Sequence, residues 1–180
     1  MGKSDLLLEL YSNLGTTGAL SFSSKTLVKK MLNHVDFKGA KLIIELGGGD
    51  GSITKGIVDK LEPGTELLVF EISKSICKSM ESQFPQENVR IINDSAENIG
   101  EYLLGRKADY VLSSLPFSFF APELRDQVLS QSKTALTQRG FFIQGCYSYL
   151  LKNHFKKHFT QVKTSFTLKN LPPAFVMVCK

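Results

Sequence analysis

Between residues 41 and 146, short apolar runs alternate with amphipathic helical stretches in unbroken succession. Residues 41–46, 66–72, 88–93, 108–113 and 140–146 each concentrate β-branched or aromatic side chains over strand-like lengths. Between them, residues 52–61, 74–84, 96–104 and 122–136 read as helices, the last placing Leu124, Val128, Leu129, Ser132 and Leu136 near one face. Steady strand–helix alternation requires right-handed crossovers, which build a largely parallel sheet covered by helices on both faces. The end of the chain departs from this: residues 161–168 alternate, the turn Asn170-Leu171-Pro172-Pro173 follows, and residues 174–179 are apolar again. A terminal antiparallel hairpin is therefore expected on an α/β sheet.

Ahead of the sheet, Leu7, Leu10, Tyr11 and Leu14 share one helical face, as do Leu27, Val28, Met31, Leu32 and Val35. The expected organisation is a single domain, a helical segment over residues 1–37 followed by a Rossmann-like core over residues 38–180. With 180 residues and 42% hydrophobic content, the chain can bury one substantial core but has no room for a large substrate domain. Cys77, Cys146 and Cys179 form no CxxC pair, and their odd number cannot close into internal disulfides, which suits a reducing cytoplasm. No apolar run reaches the roughly 18 to 20 residues that span a bilayer, and the N-terminus lacks a signal-peptide pattern.

Net charge is +5, and residues 151–180 carry six lysines without an acid. That end favours anionic surroundings, lipid headgroups or nucleic acid alike, although a solvated lysine-rich face explains it at least as well. Asp5 and Glu9 make the first helix less basic on its polar face than membrane-surface helices are, so packing on its own domain is expected. His154 and His158 stand at i, i+4 spacing but have neither an HExxH glutamate nor a third ligand. They read as a surface helix, and no metal is expected.

The first strand leads into Glu45-Leu46-Gly47-Gly48-Gly49-Asp50-Gly51. In an open parallel sheet, ligands bind beyond the strands' carboxyl ends, next to the first strand. Glycines there let a ligand lie against the backbone, and free amides opening the next helix can hold its negative group. The spacing alone also fits a tight turn or a dinucleotide site. Three carboxylates narrow the choice. Glu45 would repel a pyrophosphate but would suit a ligand bearing ammonium and sulfonium charges. Glu71 ends the second strand, where an acid can accept both ribose hydroxyls. Asp94 ends the third, where it could accept from an adenine amino group. Taken singly, Glu71 and Asp94 read equally as helix N-caps or first-turn acids.

Glu45-x-Gly47-x-Gly49-x-Gly51 with Glu71 resembles the first two motifs of the class I S-adenosylmethionine-dependent methyltransferases. The resemblance implies a seven-stranded sheet with its last strand antiparallel, S-adenosylmethionine as donor and S-adenosylhomocysteine as product. It implies a cofactor site made by Glu45, Gly47, Gly49, Gly51, Glu71, Ile72, Asp94, Ser95, Ala96 and Ser113, with Glu45 meeting the amino group, Glu71 the ribose, and Asp94 with Ser95 the adenine.

The fourth strand runs into Ser113-Ser114-Leu115-Pro116-Phe117-Ser118-Phe119-Phe120, where Pro116 sets a rigid loop edge. Phe117, Phe119 and Phe120 could wall an amine, since a methylated nitrogen becomes a cation that prefers ring faces, but core burial is expected for two of them. Ribosomal RNA adenine dimethylases carry Asn-Leu-Pro-Phe or Asn-Leu-Pro-Tyr here. Ser114 in place of that Asn, and the lack of length for their extra RNA-binding domain, weigh against RNA. The chain is similar over nearly its whole length to bacterial phospholipid N-methyltransferases, through Ser113-Ser114-Leu115-Pro116, Lys169-Asn170-Leu171-Pro172-Pro173-Ala174 and Gly18-Ala19-Leu20-Ser21-Phe22-Ser23-Ser24.

That likeness implies methyl transfer to the amine of phosphatidylethanolamine at the inner face of a membrane. Ser114, Leu115, Pro116 and Phe117 would form the acceptor loop; by position, Tyr147 and Tyr149 just after the fifth strand are candidates to orient the amine, although tyrosines flanking a strand end more often simply pack. An alkyl ammonium with a pKa of about 10 must first lose a proton, at a cost of about 4 kcal/mol at neutral pH. RNA or small-molecule N-methylation, or a non-catalytic cofactor-binding relative, are the alternatives.

Overall fold

A computed structural model describes residues 24–168 and 173–180. The first pre-sheet helix, residues 18–23 and the turn residues Lys169, Asn170, Leu171 and Pro172 lie outside the described residues. The elements run α1 (Lys25–Leu32), β1 (Leu42–Leu46), α2 (Ser52–Val58), β2 (Glu66–Phe70), α3 (Lys74–Gln83), β3 (Val89–Ile92), a 3-10 turn (Ala96–Asn98) leading into α4 (Ile99–Leu103), and β4 (Ala108–Ser113). A second 3-10 turn (Phe117–Phe119), α5 (Pro122–Ala135), β5 (Leu136–Cys146), α6 (Leu151–His158), β6 (Val162–Thr167) and β7 (Ala174–Cys179) complete the chain.

The strand order is β3-β2-β1-β4-β5-β7-β6. β1 to β5 are parallel, and β7 enters antiparallel between β5 and β6. This is the expected seven-stranded Rossmann-like sheet with its C-terminal antiparallel hairpin.

β1 is buried along its whole length because both sheet faces above it are covered. Its alternation sends Leu42, Ile44 and Leu46 into one core, beneath α4, α5 and α6, and Ile43 into the other, beneath α1, α2 and α3. Side-chain caps set the helix starts: Ser24 accepts from the Leu27 amide, Ser73 from that of Ile76, and Pro122 opens α5 at a position that needs no amide donor.

Two boundaries differ from the sequence reading. The stretch over residues 96–104 is a 3-10 turn and one short helix, stopped by Leu104 and Gly105, both at positive φ. β5 starts at Leu136, where Leu136 pairs with Ala108, so α5 passes directly into a strand. The polar Thr137, Gln138 and Arg139 disguise that start. α6 buries Leu151 and Phe155, while His158 contacts Asp126 at 3.3 Å. Burial, with Arg125 and Lys157 nearby, holds His154 below the usual imidazole value. Among the described residues no cluster of three or more His, Cys, Asp or Glu could hold a metal, and no helix is long and apolar enough to cross a membrane.

Candidate functional site

Parallel pairing of β1 with β2 and β4, and of β2 with β3, carries Gly47, Glu71, Asp94 and Ser114 to one edge of the sheet. A cleft of about 370 Å³, including its open mouth, lies there on the α4–α6 side. It is lined by Gly47, Phe70, Glu71, Ile72, Asp94, Ser95, Ala96, Leu115, Phe120, Leu124 and Val128. Six of the residues expected at a cofactor are thus brought together: Gly47, Glu71, Ile72, Asp94, Ser95 and Ala96. Glu45, Gly49, Gly51 and Ser113 are not among its walls.

The glycine loop takes its shape from backbone geometry and close packing. Gly47, Gly49 and Gly51 all have positive φ, at 82°, 52° and 75°. Gly48 is held by contact instead, since a Cβ there would come within 2.5 Å of Met80 Sδ and 3.0 Å of Val69 Cγ1. A Cβ on Gly49 would meet nothing within 4 Å, so there is open space above the loop.

Glu71 is buried, and its two oxygens accept from the Gly49 amide at 3.1 Å and the Ser73 amide at 2.9 Å. It therefore ties the glycine loop to the β2–α3 turn and keeps spare lone pairs for a ligand hydroxyl. Asp94 accepts from the Ser95 amide at 2.7 Å, Asn98 Nδ2 at 2.9 Å and the Tyr102 hydroxyl at 2.7 Å. Partial burial opposes its ionisation, but these bonds outweigh it and hold the carboxyl below its ordinary value. Neither acid is a helix N-cap, because Ser73 and Ser95 occupy those positions.

Glu45 is fully buried, on the sheet face covered by α1 to α3, opposite Val69 and Leu112 and away from the cleft. Neither carboxylate oxygen has a hydrogen-bond partner. Burial pushes its pKa up to about 8; Thr54 lies near enough to ease that rise while staying outside hydrogen-bond geometry, and Asp50 and Glu71 add to it. The ion pairs among the described residues are Lys55–Asp59, Arg106–Glu66 and His158–Asp126, so Glu71 and Asp94 have no cationic partner among them. In a chain of net charge +5, this corner is negative and uncompensated. It fits a ligand carrying positive charge, with apolar walls for a flat ring and acids for hydroxyl and amino groups.

The β4 loop is tied to the glycine loop, since Ser114 donates through Oγ to the Gly47 carbonyl at 3.0 Å. Ser113 is buried and accepts from the Leu115 amide. Leu115 faces the cleft, whereas Phe117 is wholly buried among Phe120, Phe142 and Phe155 and offers no ring to a ligand. Phe120 is also buried but lines the cleft, and Phe119 is exposed. Tyr147 and Tyr149 are partly exposed beyond β5, where Lys152 donates to the Tyr149 hydroxyl at 3.0 Å.

Of the three phenylalanines offered as walls, only Phe120 lines the cleft, and sequence reasoning missed Phe70, Leu124 and Val128, because each reads as an ordinary core residue. It also missed Gln144, buried on β5, which donates to the Leu115 carbonyl at 3.1 Å and the Gly145 carbonyl at 2.6 Å while its Oε1 has no partner. A polar side chain amid Phe142, Ile143 and Cys146 was the available signal.

The family model described as an O-methyltransferase domain matches residues 12–143, more than half of the chain. Among curated relatives, an ornithine lipid N-methyltransferase from Singulisphaera acidiphila is 27% identical over 97% of this chain and 94% of its own length. A ribosomal RNA small subunit methyltransferase A from Mycoplasma capricolum is 28% identical over 68% of this chain, and the match spans 46% of that protein. Among solved structures, the N-methyltransferase NodS from Bradyrhizobium japonicum superposes with a TM-score of 0.70 at 8% identity, covering 86% of this chain and 92% of that one. At that identity the likeness is one of fold.

Proposed function

The chain belongs to the O-methyltransferase domain family, within the class I S-adenosylmethionine-dependent methyltransferases, and on that footing we propose that it N-methylates the amine of a membrane lipid headgroup. One observation carries the choice of acceptor: similarity to a lipid N-methyltransferase runs end to end in both chains, while similarity to the ribosomal RNA enzyme covers about half of the latter. Ser114, standing where those RNA enzymes have Asn, supports it. Phosphatidylethanolamine and an ornithine lipid are the candidate acceptors. A cytoplasmic protein, peripheral at the inner face of the membrane, is the location this reading calls for.

When bound, S-adenosylmethionine would supply an electrophilic methyl group on its sulfonium to a neutral amine nitrogen, with S-adenosylhomocysteine as the product. Glu71 accepts from the ribose hydroxyls while holding the Gly49 amide in place. Asp94, fixed by Tyr102 and Asn98, presents its remaining lone pair toward the adenine amino group, with Ser95 and Ala96 beside it. The uncompensated charge of Glu71 and Asp94, both on the cleft wall, favours the cationic donor over its neutral product. Leu115, Phe120, Leu124 and Val128 exclude water and favour the neutral form of the incoming amine. Ser114 and Pro116 keep the loop at the cleft mouth, and Tyr147 stands at the end of β5 to orient the amine.

The test is radiolabelled methyl transfer to vesicles containing phosphatidylethanolamine, to vesicles containing ornithine lipid, to RNA and to a panel of soluble amines. Label in lipid is the expected result. Label confined to RNA or soluble amines overturns the lipid reading, and cofactor binding without label in any fraction identifies a non-catalytic relative.

A further inference from the structure

Hydrophobic side chains left in water are not scattered over this molecule. Of the seven large exposed ones among the described residues, Phe119, Tyr147, Tyr149, Leu150, Phe166 and Leu168 lie at the sheet edge that carries the cleft, and Leu104 lies elsewhere. The topology explains the grouping. β5 and β6 both run toward that edge and β7 runs away from it, so Cys146, Phe175 and Phe166 form one cross-strand row there. The Tyr149 and Phe166 rings pack on Phe175, with centroids 5.6 and 4.9 Å apart, so the cluster is built rather than loose.

Lysines frame it. Lys152 donates to the Tyr149 hydroxyl and sits 5.1 Å over its ring, and Lys30 reaches the Phe166 carbonyl. Lys156, one turn further along α6, also lies close enough to Tyr149 to act on its hydroxyl, and between residues 147 and 168 the sequence has no aspartate or glutamate. Tyrosines with an apolar body and a polar tip, leucines beside them and lysines around them are the composition that settles at a bilayer interface, and the positive charge selects anionic lipid. Protein–protein interfaces are instead depleted in lysine relative to the rest of the surface.

We infer that this tyrosine, leucine and phenylalanine cluster with its lysine frame is the surface by which the protein docks on an anionic bilayer, turning the cleft mouth toward the headgroups. The inference rests on the lipid-acceptor reading above and adds where the lipid surface meets the fold. Docking in this orientation lets a headgroup amine enter the cleft without the lipid leaving the membrane, because donor site and patch share one edge.

Leu150 and Leu168 are 73% and 76% exposed, so charging them leaves the core untouched. Wild type and the double variant Leu150→Glu, Leu168→Glu are compared in two measurements: co-sedimentation with vesicles of phosphatidylglycerol and phosphatidylethanolamine, and methyl transfer to those vesicles and to monomeric dihexanoyl phosphatidylethanolamine. Wild type should partition onto the vesicles and be released by salt. The double variant should partition at least ten-fold more weakly and lose vesicle activity in proportion, with its rate on the monomeric lipid unchanged. Equal partitioning of the two proteins, or a wild type that methylates monomeric lipid yet ignores vesicles, overturns the docking surface and leaves the lipid reading standing. A wild type that labels neither phosphatidylethanolamine form nor vesicles containing ornithine lipid overturns the lipid reading itself. A concentration-dependent dimer that the double variant dissolves assigns the patch to a second copy and also overturns the inference.

Discussion

Glu45→Gln should stabilise the cofactor-free protein at alkaline pH. Glu45 is fully buried with neither oxygen hydrogen-bonded, and burial raises its pKa from the ordinary 4.5 to about 8. The native state therefore binds a proton that the unfolded chain has released. Stability is greatest below pH 4.5, is lost progressively as pH rises toward 8, and is level above that. At about 1.4 kcal/mol for each pH unit separating the two values, the full loss is about 5 kcal/mol, a large share of a domain's net stability. A neutral glutamine of the same shape has no such dependence. Denaturant unfolding of the cofactor-free proteins between pH 5 and 9 should show the variant gaining on wild type with pH, by several kcal/mol at the upper end. Near neutrality, where Glu45 is protonated, the two proteins should bind S-adenosylmethionine alike within about two-fold, because neither carries a charge at this position. Parallel stability curves for the two proteins would refute the argument that this carboxylate ionises at a cost inside the fold.

Glu71→Ala removes the acceptor of the Gly49 and Ser73 amides as well as the expected ribose partner. Loss of two charge-assisted hydrogen bonds, about 3 kcal/mol, should weaken S-adenosylmethionine binding about 100-fold in calorimetry, with the circular dichroism spectrum retained; unchanged affinity counts against the ribose placement. Gln144→Leu releases the Leu115 carbonyl and should lower kcat for lipid methylation about ten-fold while the cofactor Kd stays within about two-fold, because the residue holds the acceptor loop and lies outside the donor's walls. An unchanged kcat would return Gln144 to a packing role.

Much of the donor side was legible in the residue order. The strand–helix alternation implied the parallel sheet, the glycines after β1 marked its switch point, and Glu71 and Asp94 at the next two strand ends do meet around one cleft. The start of β5 was hidden because Thr137, Gln138 and Arg139 are polar, and strand pairing with β4 overrides their local preference. Glu45 is the instructive mixture: its place before the glycines was plain, yet its side chain shares the Ile43 face and lies behind the sheet from the cleft. Period-two alternation puts it there, but which face would hold the cleft depends on where α5 packs.

By itself the sequence determined the elements, their handed connection and the negative corner beside the glycine loop, because periodicity, glycine content and charge act over neighbouring residues. Only the tertiary structure decided that Phe120, Leu124 and Val128 wall the cleft while Phe117 is sealed in the core, that Gln144 reaches the acceptor loop, and that six exposed hydrophobic residues gather on the cleft's edge. Those are contacts between segments far apart in the chain. Their geometry follows from sheet order and helix packing, and no local window of residues contains it.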